Sequence, residues 1–389
     1  MKVLINAVSA KLGGAATYVH NLARSLAEQS APDDEFVFVV PLERAATVPA
    51  ESARVRALES GAASGSYAQR WWWDQVTFRR LLETERPDVL FSSANFGMVR
   101  CPCPQVLLVR NPIYFSREYL DHVLPEKGAR LRAETVLRRW LVCRSAAAAD
   151  CVMTPSAAMM DDLRCFVALD SSRCVVNPYG VPRARVTNGT RPGSPEQRPL
   201  RILWVSHYAD HKNLLTLLRA ARILRDSDGP PFELLLTLDP AGRNGQHTSM
   251  PAEELALLKA LDGTARPVGV KNYEGTWQLY AQADLFVFPS LVESFGHPLV
   301  EAMAAGLPIV ASDVRVHREI CGEAAAYFSA LDAHALAKTL RRLMESATDR
   351  NDLAVRGRAR VPLFLWEDHV VRLLHVLRRT AAARAHRAA

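Results

Sequence analysis

Two glutamates, Glu293 and Glu301, stand with seven residues between them across a turn at Gly296, where the chain enters a helix at His297-Pro298. Proline suits the start of a helix, where its missing donor is not needed. A helix N-terminus offers free N–H groups and a partial positive charge. Carboxylates placed there do one of two things. They complement the helix dipole, worth roughly 0.3–1 kcal/mol each, or they accept hydrogen bonds from a polyhydroxylated ligand whose phosphate rests on the amides. Lys212 is a further candidate. It follows Ser206-His207 and opens a helix with Leu214, Leu217, Leu218, Ala221 and Leu224 along it. A cation in a first helical turn opposes the dipole, so an anion bound beside it is the better explanation. His207 can also donate a hydrogen bond to a phosphate. The chemistry implied is the holding of a phosphorylated, hydroxyl-rich molecule.

These residues need strand ends and helix starts to position them. Before Glu293 the apolar run Leu285–Phe288 reads as a buried strand. After Glu301 the helix stops at Gly306, Pro308 prevents its return, and Ile309–Ala311 is the next strand. Strand, turn, helix and strand make one unit of a parallel α/β sheet. Leu200–Val205 is the strand that delivers Ser206, His207 and Lys212. Val268-Gly269-Val270 precedes another helix near Trp277. Asp226 and Asp228 have metal-like spacing but read as a turn before Gly229-Pro230-Pro231.

The first half repeats the alternation. Val3–Ile5 is a strand, Gly13-Gly14 closes the loop after it, and Tyr18, Val19, Leu22, Ala23 and Leu26 mark one face of a helix. Such a Gly-Gly loop lets backbone approach a ligand closely. Phe36–Val40, Pro87–Phe91 and Gln105–Val109 are further strands. Residues 44–68, rich in Ala, Ser and Glu, read as a mobile connection, and Trp71–Trp73 opens a helix to about Glu85. Three tryptophans serve either sugar stacking or packing. Arg110-Asn111 lies at a strand's carboxyl end, where open α/β sheets bind ligands; a plain Asn-Pro turn fits as well. From Lys127 to Arg144 a helix carries six basic residues against Glu134, either a surface for membrane or acceptor phosphate or a solvated face.

At 389 residues the chain is too long for one ordinary core, so two domains are expected. Its 49% apolar and 23% charged content is that of a globular protein. A net charge of +7 suits anionic partners without choosing among them. The seven cysteines lack zinc-type spacing and read as reduced thiols. Met1–Asn6 reads as a strand, not a signal peptide, and no apolar run is long enough to span a membrane.

The segment Glu293-Ser294-Phe295-Gly296, with Pro298, Glu301-Ala302-Met303-Ala304-Ala305-Gly306 and Pro308, resembles the signature of the retaining, nucleotide-sugar-dependent glycosyltransferases of family 4. The resemblance implies an α/β GT-B fold, with two Rossmann-like domains facing each other across a cleft. Residues 1–182 would bind the acceptor, with a last helix of about 366–385 packing back on them. Residues 183–199 would be the linker, and 200–365 would bind the nucleotide sugar. The donor would meet Gly14, Ser206, His207, Lys212, Gly269, Val270, Glu293, Ser294, Phe295, Gly296, His297, Pro298 and Glu301. Glu301 would grip the ribose and Glu293 the transferred sugar, with Lys212 on the diphosphate. Glu293, Lys212, Arg110 and Asn111 would carry the catalysis. Two positions depart from the family pattern: Ser206-His207 replaces Gly-Arg, and Arg110-Asn111 replaces a histidine-containing tip.

The implied reaction moves a hexose-type sugar from a nucleoside-diphosphate sugar to a hydroxyl of a glycan, glycolipid or small molecule. It retains configuration and needs no cofactor and no metal. No nucleic-acid partner is expected. The expected place is the cytoplasm, with peripheral contact to anionic membrane as an option, through the basic helix or the arginines after Asp368. A nucleotide-sugar epimerase of the same fold and a non-catalytic binding module are the alternatives.

Overall fold

The computed structural model describes residues 1–10, 14–42, 48, 54–61, 67–187, 198–240 and 250–388. The chain divides into two compact units. Unit 1 is Met1–Arg117, Lys127–Pro178 and Trp366–Ala389; unit 2 is Glu118–Glu126 and Tyr179–Leu365.

Unit 1 is built on seven strands: β1 (Lys2–Asn6), β2 (Glu35–Pro41), β3 (Val55–Ser60), β4 (Val89–Ser92), β5 (Gln105–Leu108), β6 (Cys151–Thr154) and β7 (Cys174–Val176). They pair in the order β3-β2-β1-β4-β5-β6-β7, every pair parallel. A parallel sheet covered on both faces wants continuous apolar runs. Val3, Leu4 and Ile5 of β1 and Leu90 and Phe91 of β4 are fully buried accordingly. Helices α1 (Gly14–Gln29), α2 (Tyr67–Trp72) and α3 (Phe78–Glu85) come first. After α4 (Arg117–His122), which starts at the unit boundary, come α5 (Ala129–Ala148) and α6 (Ala157–Arg164).

Two expectations need correction here. Residues 44–68 were expected to be only a connection, yet Val55–Ser60 is a strand. It is an edge strand, so it carries ions instead of an apolar run: Arg56 Nε lies 3.2 Å from Glu35 Oε1 and also pairs with Glu85. The rest of that stretch lies largely outside the described residues, as does Gly13. The Trp71–Glu85 helix is not continuous. A π turn, Trp73–Thr77, separates α2 from α3. Within it the buried Asp74 accepts from Asn6 Nδ2 at 3.1 Å and Arg70 Nε at 2.8 Å. Trp73 packs on Phe78 at 4.9 Å, the packing role, whereas Trp72 is 65% exposed.

Unit 2 holds six parallel strands: β8 (Leu200–Trp204), β9 (Phe232–Leu236), β10 (Ala265–Pro267), β11 (Leu285–Phe288), β12 (Ile309–Ser312) and β13 (Ala325–Phe328). Their order is β10-β9-β8-β11-β12-β13. Helices α7 (Leu214–Arg225), α8 (Ala252–Ala260), α9 (Tyr273–Gln282), α10 (His297–Ala304), α11 (Arg315–Cys321), α12 (Ala333–Glu345) and α13 (Ala347–Arg360) connect and follow them. The core includes Trp204, Leu217, Leu218, Leu236, Val287 and Leu340. Asp226 and Asp228 fall in the turn that ends α7.

The division between units differs from the sequence expectation. It lies at Pro178/Tyr179, not after residue 182, and Glu118–Glu126 belongs to unit 2. Val181 N donates to Phe364 O at 3.0 Å, and Tyr119 meets His211 edge-on at 6.4 Å, contacts that tie both segments into unit 2. Residues 188–197 of the expected linker lie outside the described residues. The last helix, α14 (Trp366–Ala388), belongs to unit 1 and buries Trp366, Val370, Leu373 and Leu377. Two of its arginines are engaged within that unit: Arg372 Nε donates to Asn177 Oδ1 at 2.9 Å, and Arg378 pairs with Asp34 at 2.7 Å. Among the described residues no helix is long and apolar enough to cross a membrane.

Candidate functional site

In unit 2 the strand order runs outward from β8 in both directions, so the topology switches between β8 and β11. Loops leaving the carboxyl ends of those two strands diverge and leave a crevice there. Lys212 leaves β8 in a one-turn 3-10 helix, Asp210–Lys212, and Glu293 leaves β11. The two meet: Lys212 Nζ lies 2.5 Å from Glu293 Oε1, with side chains only 10% and 13% exposed. The anion expected beside Lys212 is thus supplied by the chain itself. Burial alone would raise the Glu293 pKa, but the Lys212 ammonium overrides it and holds the carboxyl below its ordinary value.

The loops around the pair are stitched together. Asn213 adopts the left-handed conformation, with φ 58°. Its Nδ2 donates to Pro289 O at 3.0 Å and to Ala330 O at 2.6 Å, and Thr216 Oγ1 donates to its Oδ1 at 2.7 Å. Leu291 N donates to His211 O at 2.8 Å. Ser312 Oγ donates to Ser290 O, which ties in the end of β12. Four backbone segments thereby fix where Lys212 and Glu293 sit.

Two histidines complete the surroundings. His317 is fully buried, faces Phe288 at 5.2 Å, and contacts Ser312 through Nδ1 at 3.0 Å. Its buried Nε2 has no hydrogen-bond partner. Burial pushes its pKa down to about 4, against the pull of Glu293. His211 is also brought down to about 4, by burial and then by the adjacent Lys212. Both imidazoles are therefore neutral at pH 7. His207 is exposed, and lost solvation with the Lys212 charge lowers its pKa as well. Ser206 N donates to Thr237 Oγ1 at 3.0 Å, holding this loop to the end of β9.

Helix α10 begins at the same sheet end. Gly296 is its cap residue, with φ 88° and ψ 60°. A side chain there would be strained by that φ and would meet Leu299 Cδ1 at 3.0 Å. The helix closes in a Schellman motif: Gly306 N donates to Met303 O and Leu307 N to Ala302 O, at 3.0 and 2.9 Å. Leu299, Val300, Ala302 and Met303 are buried, whereas His297, Pro298 and Glu301 remain partly accessible, as do Glu293 and Ser294. Glu301 Oε2 accepts from Tyr280 OH at 2.9 Å. Burial raises the Glu301 pKa, and the tyrosine bond only partly opposes that.

The other candidates divide. Phe295 is 1% exposed and packs on Tyr179, His297 and Phe364, so its side chain is structural and only its backbone can face a ligand. His297 stacks on Tyr179 at 4.8 Å, with the rings 10° from parallel. Gly269 has φ 75° with open space where a side chain would be, and Val270 is 45% exposed. In unit 1, Gly14 starts α1. Arg110 and Asn111 both donate their backbone N–H to Asn95 Oδ1 at 2.8 Å. The Asn111 side chain caps the 3-10 turn Pro112–Tyr114, and the Arg110 guanidinium lies 5.4 Å from the Tyr18 ring centroid. The turn foreseen for this Asn-Pro pair is thus formed.

The family model described as a glycosyl transferase 4-like domain matches residues 13–180, and that described as glycosyl transferases group 1 matches residues 190–360. The MMP alpha-(1->4)-mannosyltransferase of Mycolicibacterium hassiacum is 28% identical over 72% of this chain and 66% of its own length. The D-inositol 3-phosphate glycosyltransferase of Salinispora arenicola is 31% identical over 52% of this chain and 46% of its own. The curated relatives matched first are covered over 42% to 66% of their length. Among solved structures, the sucrose-phosphate synthase of Thermosynechococcus elongatus superposes with a TM-score of 0.75 at 19% identity, covering 98% of this chain and 100% of that one. The Anabaena protein HepE, solved with UDP and glucose, gives a TM-score of 0.68 at 16% identity, covering 97% of this chain and 100% of that one. These two likenesses speak to the fold. The two family models between them span both units, and the chain belongs to the family 4-type glycosyltransferases of GT-B fold.

Proposed function

We propose that this glycosyltransferase moves a hexose-type sugar from a nucleoside-diphosphate sugar to a hydroxyl of a glycan, glycolipid or small molecule. In this reading it retains the anomeric configuration and uses no metal. The observation that carries the proposal is the Lys212–Glu293 pair at the switch point of the second sheet, beside the N-terminus of α10. The mannosyl- and inositol-phosphate-acting relatives support a hexose-type donor and a hydroxyl acceptor.

The difficult step leaves negative charge on the departing diphosphate. Donors fixed in advance near that charge lower the barrier most. Lys212 takes this role, with the amides at the start of α10; Pro298 contributes none. When a diphosphate accepts from Lys212, Glu293 is released to bond the transferred sugar and steady its positive character. Glu301, on the accessible side of α10, accepts from the ribose hydroxyls. Gly269 and Val270 offer backbone to the base, and Ser206 and His207 flank the phosphates. Arg110 and Asn111 belong to the acceptor side, in unit 1. In this reading the chain works in a reducing compartment, where its seven cysteines stay thiols.

The test is a thermal-stabilisation screen of nucleotide sugars, followed by calorimetry of the best ligand on Glu301→Ala. A charged hydrogen bond contributes about 1.5–3 kcal/mol, so the variant's affinity should fall roughly tenfold to a hundredfold. An affinity equal to wild type would remove the ribose role.

A further inference from the structure

The outward face of α5 has the polarity of an inward one. Val136, Leu137 and Trp140 recur there at helical spacing and are 51%, 56% and 56% exposed. Among the described residues no element of unit 1 covers the exposed half of this stripe. The same helix carries five arginines against Glu134 alone. Arg130, Arg132 and Arg144 are exposed beside the apolar stripe. Glu134 is already shared between Arg130 at 3.1 Å and Arg138 at 2.8 Å. The remaining positive charge has no acid on this helix to answer it.

We propose that this face of α5 docks on the surface of an anionic lipid bilayer. The apolar stripe sinks into the boundary between headgroups and chains, and the flanking arginines meet lipid phosphates. Tryptophan suits that depth, having an apolar ring and a polar N–H. A second copy of the chain fits less well. A two-fold contact sets the same patch against itself, so arginine would face arginine. The stripe also reaches inward at one point: Leu137 lines, with Trp71, Phe96 and Leu141, a small cavity of about 70 Å³. The proposal rests on unit 1 alone and does not depend on the donor site.

The experiment is co-sedimentation of the full chain with two kinds of vesicle, phosphatidylcholine alone and an equimolar mixture with phosphatidylglycerol. Wild type should pellet with the mixture and stay in solution with phosphatidylcholine. Arg130→Gln/Arg132→Gln/Arg144→Gln should weaken binding about a hundredfold, each charge near the surface being worth about fivefold. Val136→Ser/Leu137→Ser/Trp140→Ser should weaken it at least tenfold, a rough bound from the apolar area lost. All six positions are exposed, so both variants should melt with wild type; Trp140→Ser alone serves if a triple variant does not. Three results would overturn the proposal: wild type left in the supernatant with anionic vesicles, variants that pellet as wild type does, or a wild-type dimer in light scattering that Trp140→Ser dissolves.

Discussion

Replacing Lys212 by methionine separates a bound pair from a decorative one. At 2.5 Å and an effective dielectric of about 20, the two charges attract by roughly 6–7 kcal/mol, part of which desolvation offsets. With both side chains nearly buried, solvent screening takes little of the remainder. Removing one partner of such a pair costs about 3–5 kcal/mol, because the other charge stays buried alone. For a domain of this size class that is a melting-point loss of roughly 6–20 °C. The pH dependence has a definite sign. Glu293 is held below its ordinary value, so the pair's contribution is full above an unfolded glutamate's pKa of about 4.3 and fades as pH falls through the lower folded value. In Lys212→Met the cation is gone and burial remains, so the carboxyl takes a proton more easily. The gap between variant and wild type should therefore be largest near about pH 7.5 and shrink toward about pH 5. Melting curves at both pH values measure it, and turnover should fall more than tenfold, a rough lower bound for losing one pre-placed donor. Equal melting points, or a gap that does not change with pH, would refute the reasoning.

Asn213→Ala should destabilise the chain by about 2–4 kcal/mol in urea unfolding, through three lost hydrogen bonds and an alanine forced to φ 58°. Asn213→Gly, which relieves the φ but not the bonds, should fall between it and wild type. His317, with its pKa near 4 in the folded chain, takes its proton earlier when unfolded. Stability should drop by about 3 kcal/mol from that group as pH falls from about 6.5 to about 4. His317→Gln should flatten that part of the pH–stability curve, and an unchanged slope would place the titration elsewhere.

Local punctuation made the central stretch legible. Gly296, Gly306 and Pro308 act on their immediate neighbours, so strand, turn, helix and strand could be read directly. Lys212 was recognisable because a cation at that position needs an anion. That the anion is Glu293 could not be read, since it depends on which strands become neighbours across the sheet. The supporting residues were missed for the same reason. Ser290, Ser312 and His317 are ordinary residue types whose roles arise from contacts between separate loops. Asn213 carried a faint signal, because asparagine tolerates the left-handed region and Thr216 follows it at capping distance. Edge strand β3 was hidden because its stabilising partners are charged. Phe295 was named for the free backbone amides of this turn, and the packing of its ring in the core was not read.

Helix α14 gives unit 1 an unusual assembly order. Trp366 Nε1 donates to Ser25 Oγ at 2.8 Å, and Asn177 Nδ2 donates to His369 O at 3.2 Å, joining positions far apart along the polypeptide. During synthesis the whole stretch Tyr179–Leu365 emerges before this helix does. The seven-stranded sheet must wait, incompletely covered, while the younger neighbour finishes. A lesion in α14 would thus be felt by strands made long before it.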